Sequence, residues 1–245
     1  MNGGMNGMII TIIAMLICSV IMGRILFWID GTKFVSTASR RLMNRIPWDY
    51  EEIKASFIGI WYYIVPLAFT AGFSVLFDFN PLNYLLLKLR YIGWIPLTIL
   101  AELSMVTMLS GCLTLFSDRT DWSGEIGNIS WIKSVQKRNK AVVPLVPVLG
   151  ALVEEVFFRG TVFLILFTRF DGAGFLVSFL ASGALFAVEQ VLFTDNRNQR
   201  LSMCLASVGI AFVACVSTAY TGSFLPCLLA HECFLVFYFG RFRYY

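Results

Sequence analysis

One histidine, His231, is all that 245 residues supply, and neither an HExxH pair nor a Cys-x-x-Cys pair accompanies it. Zinc sites draw on several His or Cys ligands, so only carboxylates could complete one here, and no metal is expected. Charge is scarce as well. Lys, Arg, Asp and Glu make up 14% of the chain against 58% hydrophobic residues. The mean hydropathy is +0.76, which leaves too little polar surface for a soluble globule of this size. The Lys and Arg residues sit in short connections rather than in a basic stripe interleaved with aromatics, which argues against nucleic acid as a partner. The six cysteines, Cys18, Cys112, Cys204, Cys215, Cys227 and Cys233, lie in apolar runs and read as reduced packing residues. No repeat of 20–50 residues, no long linker and no lipidation motif at Tyr244-Tyr245 is visible, so a single domain over 1–245 with no cofactor is expected.

What the chain does have is apolar runs of spanning length. These fall at 8–29, 55–77, 91–116, 141–167, 174–193, 201–219 and 224–239, and a crossing takes about 20 residues. The first reads as a retained helix rather than a signal peptide, because no basic residue precedes it and no small-residue cleavage site ends it. Pro66 is expected to kink the second run, and Pro144 and Pro147 place the start of regular helix in the fourth near Val148. Between the first two runs, 34–48 is expected to form a short amphipathic helix on the membrane. With seven spans and the N-terminus outside, 14 Lys and Arg fall in cytoplasmic segments and 3 in external ones, a clear positive-inside signal with the C-terminus cytoplasmic. The expected fold is therefore all-α, a polytopic integral membrane helical bundle with the bilayer as its first partner.

The fourth run contains ALVEEVFFRG, 151–160, with two carboxylates and a guanidinium inside an otherwise apolar segment. A charged side chain at the bilayer centre costs at least about 2.5–3.5 kcal/mol, so three within six residues imply mutual pairing, a wet cavity, or both. Glu155 and Arg159 are four apart and share a helix face, in the favourable acid-before-base order. Glu154 is turned by about 100° and is left free to act. The bland alternative is a charge cluster that only fixes helix packing.

The topology places other polar groups at similar depth. Glu154 lies about 9 Å along the helix from its cytoplasmic start, Gln190 and Glu189 about 5 Å from the end of the fifth span, and His231 about 12 Å from the end of the seventh. A polar cavity opening to the cytoplasm accounts for all of them, because it supplies the water they need. Glu102, in the middle of the third span, could answer Arg159 or Arg24.

The residues resemble a family. Glu154-Glu155-Val-Phe-Phe-Arg159 matches the EExxxR motif of the CPBP family, the CAAX prenyl proteases and bacteriocin-processing enzymes also called Abi proteins. The second motif, FxxxH, is met by Phe186-Ala-Val-Glu189-Gln190, with Gln for His. The third, HxxxN or HxxxD, is met by His231-Glu-Cys-Phe-Leu235, with Leu at its last position. The resemblance covers about 148–239, so 141–240 is the family-like core and 1–140 holds the N-terminal spans and loops.

That resemblance implies a glutamic intramembrane endopeptidase in a bacterial cell membrane. Carried over, Glu154 is the general base, Glu155 and Arg159 its orienting pair, and His231 a donor to the oxyanion. Gln190 can hold a water but takes up no proton, Leu235 donates no hydrogen bond, and Glu189 is a candidate substitute carboxylate. Glu232 is an unexpected acid beside His231. Two readings stand. One is an endopeptidase acting on a prenylated, leader-bearing or membrane-associated peptide. The other is a noncatalytic scaffold, regulator or self-immunity protein whose cavity binds a partner helix.

Overall fold

A computed structural model of the chain describes residues 5–116, 121–136, 145–170 and 174–241. Pro144 and the first residues of the expected fourth span lie outside them. Among the described residues every regular element is helical. The long helices are α1 (Met5–Asp30), α3 (Tyr50–Phe77), α4 (Trp94–Phe116), α9 (Gly174–Leu192), α10 (Arg197–Thr221) and α11 (Leu225–Arg241). Short helices fill the connections: α2 (Lys33–Met43), α5 (Trp122–Gly127), α6 (Ser130–Gln136) and two 3-10 turns, Pro81–Tyr84 and Leu89–Tyr91. A further helical run starts as α7 (Leu145–Glu154), widens into a π-helix over Glu155–Phe163 and closes as α8 (Leu164–Arg169). It is helical from Leu145, so Pro147 sits in its first turn, where a missing N–H costs nothing.

Among the described residues, five stretches are long and apolar enough to cross a membrane: Asn6–Asp30, Tyr50–Phe77, Leu89–Leu115, Gly174–Leu192 and Arg197–Thr221. The other two expected spans are present as helices of a different character. One carries three charges at its centre, and the apolar part of the other, Leu225–Val236, is shorter. Large apolar side chains such as Ile10, Val75, Leu100 and Leu176 point outward and exposed, the surface that acyl chains solvate. The molecule is a polytopic helical membrane bundle.

Lipid tails are as apolar as leucine, so helices in a bilayer associate through close packing and interhelical hydrogen bonds rather than through burial alone. The α10 sequence is built for this. A Cβ on Gly209 would come within 3.0 Å of Met105 Cγ on α4, and one on Gly183 of α9 would touch Ala211 at 3.4 Å. Thr98 and Ser217 share a hydrogen bond of 2.9 Å between α4 and α10. Ser182 of α9 donates to the Phe158 carbonyl of the π-helix at 2.9 Å. The core around these contacts is aromatic, with Phe157, Phe158, Phe163, Phe186 and Phe224 all but excluded from solvent.

Two connections carry more structure than hydrophilicity alone indicates. The amphipathic stretch after α1 forms α2, capped by Thr32, whose hydroxyl accepts from the Val35 amide at 3.3 Å. In the longest hydrophilic connection, Ile126, Ile129, Ile132 and Val135 form a buried row along α5 and α6. Ser130 donates from its amide and its hydroxyl to Asp195, both at 2.8 Å. Asn196 donates to Glu125 at 3.1 Å, so this hairpin is latched to the α9–α10 turn.

Candidate active site

The π-helix begins at Glu155, the second residue of the charged motif. Its wider turn lets the Thr161 hydroxyl bond the Val156 carbonyl five residues back at 2.9 Å, and π-turns inside helices often mark functional sites. Gly160 allows close approach on the far side, since a Cβ there would meet Phe224 at 3.1 Å and Pro81 at 3.4 Å. This change of winding sets the directions of the two glutamates.

Glu155 points inward and is fully buried, as is Arg159. Glu155 Oε1 lies 3.2 Å from Arg159 Nη1, the pairing that the i, i+4 spacing requires. The same oxygen lies 2.9 Å from His231 Nδ1. A carboxylate oxygen can only accept from that nitrogen, so Nδ1 carries the proton and Nε2 is turned toward Glu154, 3.7 Å from its Oε2.

Phe186 explains the aromatic position of the second motif. The Arg159 guanidinium lies 4.3 Å over its ring, and the His231 ring meets it edge-on at 5.9 Å between centroids. One aromatic platform thus positions the cation and the imidazole together.

Glu154 stands at the wall of a cavity of about 240 Å³, with Tyr62, Phe186, Gln190, His231 and Leu235 among its lining residues. Its Oε1 accepts from Gln190 Nε2 at 3.1 Å and from the Tyr62 hydroxyl in a very short contact. Both donors use the same oxygen. Oε2 is left toward His231.

Three more carboxylates lie nearby, with different fates. Glu189 and Glu102 are buried without a hydrogen-bond partner on either oxygen, and both are within electrostatic reach of Arg159. Arg24, the other cation considered for Glu102, is exposed. Gln190 faces the cavity and Glu189 the interior, as a 100° step along α9 dictates. Glu232 is half-buried and off the cavity wall. Among the described residues, no group of three or more His, Cys, Asp or Glu is arranged to hold a metal ion.

Tyr62 and the α5–α6 row are the residues that sequence reasoning missed. Ile126, Trp131, Ile132 and Val135 close one side of the cavity, and the isoleucine spacing of three was the available signal. Tyr62 gave none, because a Trp-Tyr-Tyr triplet in a span reads as an interfacial belt.

Fold and site together define a polytopic helical membrane protein with a carboxylate and imidazole centre on an internal cavity. Residues 138–236 match the family model described as Rce1-like, type II CAAX prenyl endopeptidase. The match takes in all three motif segments. No curated protein and no solved structure matches the chain.

Proposed function

We propose that the protein is a glutamate-dependent intramembrane endopeptidase that hydrolyses a prenylated, leader-bearing or otherwise membrane-associated peptide from the cytoplasmic side. The observation that carries this is the approach of Glu154 Oε2 and His231 Nε2, 3.7 Å apart, at a largely apolar cavity. A water about 2.8 Å from each atom can bridge them from one side, off the line that joins them. Glu154 takes one proton from that water as its oxygen bonds to the scissile carbonyl carbon. His231, tethered at Nδ1 by Glu155 and protonated at Nε2, donates to the oxyanion. Collapse breaks the carbon–nitrogen bond, and Glu154 returns its proton to the leaving amine. Glu155 and Arg159 hold the imidazole, and the apolar walls suit a lipid-modified or membrane-buried chain.

The test is cleavage of a panel of fluorogenic prenylated and leader peptides by the detergent-purified protein, with Glu154→Gln as the comparison. Turnover that Glu154→Gln abolishes in a folded protein supports the reading. No turnover in the wild type, together with turnover restored by Gln190→His, identifies a scaffold with a disabled centre. No turnover in any form, with retained capture of a partner helix, favours the binding role over catalysis.

A further inference from the structure

We infer that Tyr62 is a positioning residue for hydrolysis and that, with Gln190, it orients the Glu154 carboxylate. This rests on the reading of Glu154 as the base. Three observations meet at Tyr62.

Its hydroxyl donates to Glu154 Oε1, the oxygen that also accepts from Gln190 Nε2 at 3.1 Å. A carboxylate bound on one oxygen by two donors from different helices has a fixed plane and a single outward oxygen. Here that oxygen is Oε2, which faces His231 Nε2. With Gln190 alone, one flexible amide would hold Glu154, and the carboxylate could rotate about its last torsion, which is broad and roughly two-fold.

The Tyr62 ring is itself held. It packs edge-to-face on Phe193 of the α9–α10 turn, with 5.7 Å between centroids, and its neighbour Tyr63 donates to the Val146 carbonyl of α7 at 3.0 Å. These contacts fix α3 against α7 and α9, the two helices that carry Glu154 and Gln190, so the phenol is aimed before any substrate arrives. Tyr62 also lines the cavity.

Neither donor is a base near neutral pH, since a phenol and an amide both give a hydrogen bond without accepting water's proton. The division of labour is then complete. Tyr62 and Gln190 orient Glu154, Glu154 alone takes the proton, and a histidine at position 190 is dispensable.

The experiment measures kcat and KM for the full chain in detergent, using a peptide that the wild type cleaves, for Tyr62→Phe, Gln190→Leu, their double variant and Glu154→Gln. Tyr62→Phe keeps the ring and its packing on Phe193, so its melting temperature should stay at the wild-type value. Loss of a hydrogen bond to a charged group is expected to lower kcat about 10- to 100-fold with KM within about 2-fold. The double variant should lose more than the product of the single losses, because each donor partly covers for the other. Wild-type kcat in Tyr62→Phe alongside an inactive Glu154→Gln overturns the positioning role and leaves the glutamate mechanism standing. A raised KM with unchanged kcat also overturns it, making Tyr62 a substrate contact only. A wild type without turnover on any peptide overturns both.

Discussion

Replacing Arg159 by methionine tests whether the buried ion pair holds the centre together. The guanidinium is fully buried, lies 3.2 Å from Glu155 and stacks on Phe186 at 4.3 Å. Methionine roughly fills the space but leaves the Glu155 carboxylate with only neutralisable partners, the His231 imidazole and the Cys227 thiol. Breaking a buried pair by removing one member costs about 3–5 kcal/mol, because a charge is then buried uncompensated. At about 2–4 °C per kcal/mol for a chain of this size, the melting temperature should fall by roughly 6–20 °C. The assay is thermal unfolding of detergent-purified protein, followed by the fluorescence of its six tryptophans. Adding Glu155→Gln to Arg159→Met removes the orphaned charge and should recover at least half of the loss. Arg159→Lys keeps the charge without the planar stack and should fall in between. If Arg159→Met melts within about 2 °C of the wild type, an effect at the scale of an exposed pair, the argument fails and the pair is not what holds these helices.

Two further outcomes follow from packing. Gly209→Leu drives a side chain into Met105 and Leu109 of α4. It should cost about 1–3 kcal/mol as an overpacked contact, read as a lower melting temperature, whereas Gly72→Leu meets open space and should not. Asp195→Ala removes the acceptor for both Ser130 donors, so hydrogen exchange across 121–136 should quicken about tenfold at a loss near 1.4 kcal/mol, while exchange in α10 stays unchanged.

The helices and the heart of the site were legible in the residues because both follow local rules. Apolar length marks five of the seven expected spans among the described residues, and the i, i+4 rule pairs Glu155 with Arg159. Motif order brings His231 to Glu154, and the 100° step separates Gln190 from Glu189. What escaped is what local rules do not encode. Glu154 and Glu155 reach the same imidazole because the helix changes winding at 155, which an ideal α-helix does not foresee. Tyr62 meets Glu154 across 92 residues of sequence, a contact set by helix packing. The row Ile126, Ile129, Ile132 and Val135 lay inside a connection whose lysines and arginines dominated its reading, although three of its members, Ile126, Ile132 and Val135, line the cavity.

The solitary imidazole also makes the centre observable. Because the chain has one histidine and the structure places it between both glutamates, uniform nitrogen labelling of histidine yields one ring's resonances with no assignment step. The two nitrogen shifts distinguish the Nδ1–H tautomer from the doubly protonated ring. A titration in micelles therefore reports the charge state of the site directly, and a bound peptide that displaces water from Glu154 would register at Nε2 while Nδ1, tied to Glu155, holds still.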